Sequence, residues 1–143
     1  MEGMEKRTSV GVSAFLKNDK NQFLFLNRSA QSSWGKGQWQ LPEGKMEWGE
    51  APEQTIQREV LEETCCTARE LGFIGFQTVN IQARGKDFHV LRLLFKGTIA
   101  GEIRLSSEHE DFAWWALKEA LKQDLTVGLK EFISQNLEKI QHS

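Results

Sequence analysis

Apolar residues fall two apart at Val10, Val12, Ala14 and Leu16, and this alternation predicts a strand over residues 8–17. A turn-rich Asn18-Asp19-Lys20-Asn21 separates it from Phe23-Leu24-Phe25-Leu26, a second strand, so the pair reads as a hairpin. Residues 29–37 are small and polar and read as a loop. A short strand is expected over residues 39–41, stopped by Pro42, with a loop over 43–49. The period then changes. Ile56 and Val60 stand four apart and Pro52 suits a first turn, which predicts a helix from about residue 51 to 64. Strands follow over residues 71–81 and 88–99, joined by an exposed tip at Arg84-Gly85-Lys86 that is not expected to reach a ligand. A short strand over 112–116 carries Trp114 and Trp115, one expected to face the core and the other a helix. Residues 117–122 and 127–140 read as helices, the second with Leu129, Phe132, Ile133, Leu137 and Ile140 as its apolar stripe. The order ββ(β)αβββαα has no repeats and no linker. It predicts an α/β (α+β) fold, a mixed sheet flanked by helices, in one domain over residues 1–143.

Composition narrows this picture. The chain has 143 residues, the size of one ordinary domain, and its 39% apolar and 27% charged content is that of a soluble globular protein. Net charge is −2 and no run of five or more Lys/Arg occurs, which argues against an extended nucleic-acid surface. No stretch approaches the roughly 18 apolar residues of a membrane span, and the opening residues 1–7 lack the apolar middle of a signal peptide. Cys65 and Cys66 are adjacent, offer no disulfide framework and read as inert thiols, so a reducing cytoplasm is expected.

The chemistry concentrates in the helix over 51–64. Glu59, Glu62 and Glu63 stand at i, i+3 and i+4, which places three carboxylates on one helical face, taken to be solvated. Ile56 and Val60 lie on an adjoining face and enter the core. Carboxylates so close to a core face call for a partner, and Mg²⁺ suits hard oxygen ligands while keeping positions open for water and phosphate oxygens; Mn²⁺ is a possible substitute. Arg58 precedes Glu62 by four residues and can pair with it or with Glu50.

A helical Glu-x-x-Glu-Glu alone is a weak signal, but the register is longer. Gly44 is followed after five residues by Glu50, and after seven more by Arg58-Glu59-Val60-Leu61-Glu62-Glu63. Residues 44–66, GKMEWGEAPEQTIQREVLEETCC, resemble the signature box of the Nudix (MutT-related) hydrolases, and the order of strands extends the resemblance over nearly the whole chain. The resemblance implies a Nudix-type α/β/α sandwich and Mg²⁺-dependent hydrolysis of a phosphoanhydride in a nucleoside diphosphate linked to another moiety. It implies Glu59 and Glu63 as main metal ligands, Glu62 as ligand or general base, the Gly44 carbonyl as a further ligand, and Glu50 as a support for Arg58 or a second ion. Two departures stand out. Cys65 replaces the Gly that eases the turn after the helix, so the helix is expected to run on or end differently. In Leu41-Pro42-Glu43-Gly44, Glu43 replaces a Gly and adds a carboxylate beside the site.

The substrate side is less specific. Arg28 can reach a phosphate. Trp34, Trp39 and Trp48 flank the box and are candidates to stack on a base. In many Nudix relatives a Glu of the loop before the last strand assists water activation; here that is Glu108 or Glu110, Glu110 joining Arg58, Glu59, Glu62 and Glu63 in the catalytic set. His89 and His109 read as ordinary residues. The expected substrate is a small nucleotide, nucleoside triphosphates slightly favoured over dinucleoside polyphosphates and nucleotide sugars. A non-catalytic nucleotide sensor on the same fold is the alternative of another class, disfavoured because every box carboxylate is present. A homodimer is the default expectation for an oligomer.

Overall fold

The computed structural model describes residues 4–142. Residues 1–3, part of the stretch read for a signal peptide, lie outside the described residues. The elements are β1 (Glu5–Lys17), β2 (Phe23–Arg28), β3 (Trp39–Gln40), β4 (Glu43–Lys45), α1 (Pro52–Thr64), β5 (Thr67–Ala83), β6 (Lys86–Ala100), β7 (His109–Trp115), α2 (Leu117–Ala120), α3 (Leu129–Gln135) and α4 (Leu137–Gln141).

The strands form one mixed sheet in the order β3-β2-β1-β6-β5, with β4 paired to β1 and β7 to β2. The β1–β6 pair is parallel and runs in continuous register from Glu5↔Lys86 to Lys17↔Thr98; the other pairs are antiparallel. The alternation in β1 divides its side chains between two cores. Ala14 and Leu16 join Ile56 and Val60 of α1, while Phe15 joins Phe25, Leu41, Phe132 and Ile133 beneath α3 and α4. A sheet covered on both faces gives the expected α/β/α layering.

Departures from the pattern reading have local causes. Residues 43–45, expected as loop, form β4 against β1 through Gly11↔Lys45, Val12↔Gly44 and Ser13↔Glu43. Glu-Gly-Lys carries no apolar alternation, so only the partner strand reveals it. The hairpin of β5 and β6 is longer than the apolar runs because its polar ends still pair, to Ala83↔Lys86. The helix expected over 127–140 divides into α3 and α4 at Asn136 (φ −132°, ψ 26°), whose side-chain amide donates to the Phe132 carbonyl at 2.9 Å while its backbone N–H turns to the Ile133 carbonyl at 3.2 Å. Trp115 packs against Phe25 and Trp39, while Trp114 is half-buried at the next position of the strand.

Cys65 also corrects an expectation. The helix neither runs on nor ends differently: Cys65 adopts φ 61°, ψ 20°, the left-handed conformation a Gly would take, and its N–H donates to the Leu61 carbonyl at 2.9 Å. The capping bond and the departure of the chain into β5 outweigh the strain of a Cβ in that region.

Candidate active site

The site lies where α1 crosses β4. Within α1, Thr55, Ile56, Val60, Glu63 and Thr64 are buried, so the inward stripe that seats the helix also carries one carboxylate inward. Glu63 is only 4% exposed, which corrects the expectation of a fully solvated carboxylate face. Its Oε1 accepts the backbone N–H of Glu43 at 3.2 Å. One turn earlier, Glu59 lies directly over Gly44: a Cβ at residue 44 would stand 2.5 Å from Glu59 Oε1 and closer still to Cγ and Cδ. The absent side chain of Gly44 is therefore the space the Glu59 carboxylate occupies. Glu62, between them in sequence, is turned outward, half-exposed, and accepts from Arg58 Nη1 at 2.9 Å.

Arg58 braces this arrangement. Its Nε and Nη2 donate to both oxygens of Glu50, at 2.7 and 3.0 Å. Its Nη1 also reaches Glu59 Oε2 at 2.7 Å, and Nη2 the Lys45 carbonyl at 3.0 Å, tying α1 to β4. The fork geometry of a guanidinium makes such multiple contacts possible. The Arg58 hydrogen bond, with the Glu47 backbone N–H, holds the Glu50 carboxyl down at about 2, and Glu50 in turn raises the guanidinium. Glu59 is shifted upward, chiefly by burial, with Arg58 opposing. Glu63 is pushed well above the ordinary carboxylate range by burial and then by the charges of Glu59 and Glu43.

These groups open onto a cleft of about 380 Å³. Glu43, Glu59, Glu63 and Glu108 line it together with Arg28, Arg84 and Arg92. Glu43, ambiguous in sequence, faces the cleft and accepts from Ser13 Oγ at 3.2 Å. Arg28 donates from Nε to the Trp34 carbonyl at 2.9 Å, and its guanidinium carbon sits 3.9 Å from the centre of the Trp34 ring, a cation–π pair. Burial lowers the Arg28 pKa, and Glu43, Glu108 and Glu63 partly restore it.

The structure therefore brings together Gly44, Glu59, Glu63, Arg28 and Trp34 and separates others from them. Trp39 does not line the cleft; its ring stands 4.7 Å from that of Trp115 in the core, because β3 directs it between β2 and the loop at Leu125. Trp48 is 100% exposed and lies apart from the cleft lining. Glu110 is committed elsewhere, accepting the Ala30 N–H at 3.1 Å, while Glu108 lines the cleft. Two positions that the sequence reading dismissed, Arg84 and His109, line it as well. Only the pairing of β6 with β1, which carries the hairpin tip toward the cleft, could have indicated Arg84.

Could the site hold a cation? Among the described residues no group of three or more His, Cys, Asp or Glu side chains is placed to hold a metal ion by itself. Glu59, Glu63 and Gly44, which line the cleft together, offer hard oxygens there. That set fits a cation that keeps several of its own waters, as Mg²⁺ does, and not a soft or fully enclosed metal. The cradle at Gly44, which a Cβ would fill, fits the same conclusion.

A family model described as the NUDIX domain matches residues 7–135. The mouse asymmetrical bis(5'-nucleosyl)-tetraphosphatase is 37% identical over 108 residues, covering 73% of this chain and 71% of the mouse protein. Its namesake from Caenorhabditis elegans is 31% identical over 105 residues, 72% of this chain and 73% of that one. Among solved structures, the MutT protein from Methanosarcina mazei Go1 superposes with a TM-score of 0.77 at 28% identity, covering 96% of this chain and 98% of its own.

Proposed function

Because this chain belongs to the Nudix family and is a hydrolase of phosphoanhydride bonds, we propose that it acts as a single domain on a nucleotide polyphosphate, with dinucleoside tetraphosphates as its first substrate class. The observation that carries the proposal is the Glu59 carboxylate seated over the bare backbone of Gly44, with the buried Glu63 one turn away in the same cleft. In this reading Glu59, Glu63 and the Gly44 carbonyl hold a divalent cation, Mg²⁺ by preference. When bound, such a cation neutralises charge on phosphate oxygens and acidifies water.

The chain's own residues do the rest. Arg58 fixes the Glu59 carboxylate and ties it to β4. Glu62, which is exposed and does not line the cleft, keeps Arg58 in place from the solvent side instead of ligating directly. Glu108 is the group in the cleft available to accept a proton from attacking water. Arg28, stiffened by Trp34, offers positive charge to a phosphate in the same cleft as the carboxylates.

The residues alone slightly favour nucleoside triphosphates. Similarity to two asymmetrical tetraphosphatases over nearly three-quarters of the chain supports dinucleoside tetraphosphates instead. The test is chromatographic separation of products from diadenosine tetraphosphate, nucleoside triphosphates and nucleotide sugars, each with Mg²⁺ or with chelator. Mg²⁺-dependent release of a nucleoside triphosphate and a nucleoside monophosphate from diadenosine tetraphosphate, ATP with AMP, is the expected outcome. Metal-independent turnover, or none from a folded sample, overturns the reading.

A further inference from the structure

The cleft ends in a buried relay that the carboxylate chemistry does not use. Arg28 Nη1 donates to Gln40 Oε1 at 2.6 Å, and Gln40 Nε2 stands 3.2 Å from His109 Nε2. Gln40 and His109 are 1% and 7% exposed, on strands β3 and β7 that flank β2, which bears Arg28. The three side chains are thus carried side by side by three neighbouring strands.

The chemistry of the groups fixes the protons. A guanidinium only donates, so the Gln40 atom facing Arg28 is its carbonyl oxygen. The amide nitrogen then faces the imidazole, and it too only donates. His109 Nε2 must therefore be unprotonated and accept, which leaves the ring proton on Nδ1, a buried nitrogen without a hydrogen-bond partner among the described residues. An imidazolium would set N–H against N–H and force the amide to turn its oxygen away from Arg28. Burial, and then the Arg28 charge, hold the His109 pKa down at about 4, which agrees with a neutral ring.

The relay has a consequence at the cleft. Arg28 is held by the Trp34 carbonyl, by the Trp34 ring and by Gln40, and its Nη2 carries no hydrogen bond among the described residues. A free arginine side chain loses rotamer entropy when binding orders it, and one that is already ordered does not. We propose that Gln40 and a neutral, Nδ1-protonated His109 are positioning residues that hold the Arg28 guanidinium ready for a phosphate oxygen of the substrate. This rests on the reading of Arg28 as a substrate contact. Neither residue is assigned a place at the reacting atoms; both act through Arg28.

Nitrogen-15 NMR of the histidine rings tests the relay without any substrate. At pH 7 the His109 ring, assigned by its loss in His109→Asn, is expected as the Nδ1–H tautomer. Gln40→Glu supplies a carboxylate that needs a donor, so Nε2 is expected to gain a proton. The Arg28 Nη1 protons, which face Gln40, are expected to exchange slowly in the wild type and quickly in Gln40→Leu. An Nε2–H tautomer in the wild type, or an Arg28 signal indifferent to Gln40→Leu, overturns the proposal. With diadenosine tetraphosphate, Gln40→Leu is expected to raise KM about tenfold, the equivalent of one lost oriented contact, and to change kcat less than threefold. If Arg28→Ala raises KM and Gln40→Leu does not, the relay is wrong. If Arg28→Ala leaves KM unaltered, the assignment of Arg28 as a substrate contact is what fails.

Discussion

Gly44 and Glu59 share one small volume: the carboxylate of the second lies where the side chain of the first would be, with Oε1 2.5 Å from the position of a Cβ. A methyl group there must displace Glu59, and with it the Arg58 contact at 2.7 Å. Gly44→Ala is therefore expected to leave the thermal midpoint nearly unaltered while kcat/KM falls by about 100-fold or more, the scale on which support of a metal site acts. A steady-state assay beside a melting curve checks it, and an active Gly44→Ala enzyme would show that Glu59 can do its work from another position.

Glu63 separates stability from activity. Its carboxylate is buried beside Glu59 and Glu43, an arrangement that costs stability while it is charged. Glu63→Gln keeps an oxygen to accept the Glu43 N–H. The metal-free variant is expected to melt at or above the wild-type temperature while turnover drops by more than about 100-fold. A variant that turns over at near the wild-type rate would remove Glu63 from the ligand set.

The same carboxylate sets a pH signature. Its folded pKa lies above the unfolded one, so the folded state binds the proton more tightly. The stability contributed is fully present below the unfolded value and is lost as pH rises through the folded value. In chelator, the melting temperature of the wild type is expected to climb as pH falls from 8 toward 5, and Glu63→Gln is expected to flatten that slope. Glu50, held at about 2, loses its contribution only below this range. Added Mg²⁺ is expected to stabilise most at pH 8, where no proton competes for the carboxylates. Scanning calorimetry at several pH values reads both trends.

The three tryptophans beside the box are expected to part company on substitution. Trp39→Ala removes a ring packed on Trp115 and is expected to cost about 2–4 kcal/mol, near the lower range for large aromatic truncations because Trp39 is half-buried. Trp48→Ala, at a fully exposed position, is expected to stay within about 0.5 kcal/mol of wild type. Trp34→Ala releases Arg28 and is expected to raise KM more than it lowers stability. Urea titrations with parallel kinetics distinguish the three, and equal effects would contradict the placement.

Cys65 caps α1 in a conformation that L side chains adopt at a cost. Cys65→Gly is expected to stabilise the protein by about 1 kcal/mol and to leave activity within twofold. Loss of activity in this variant would mean that the Cys65 side chain, exposed at the helix end, contributes to the site after all.

The sequence by itself determined what depends on near neighbours along the chain. The spacing of Glu59 and Glu63 put two carboxylates one turn apart, Pro52 and the 3.6-residue period placed α1 almost to the residue, and alternation marked β1 and both strands of the long hairpin. The register from Gly44 to Glu63 pointed to the family for the same reason: a helix and the loop before it form a local unit. Only the tertiary structure decided which of several equivalent side chains enter the cleft. Glu62 and Glu63 differ by one position, yet the packing of Ile56 and Val60 on the sheet buries one and leaves the other to Arg58. Glu108 and Glu110 look alike in the sequence, and the pairing of β7 with β2 sends one to the cleft and the other to the Ala30 backbone. Gln40 and His109, 69 residues apart, carried no signal at all. Their meeting depends on which strands lie beside β2, and strand order is fixed by burial summed over two cores, a quantity that no short window of sequence contains.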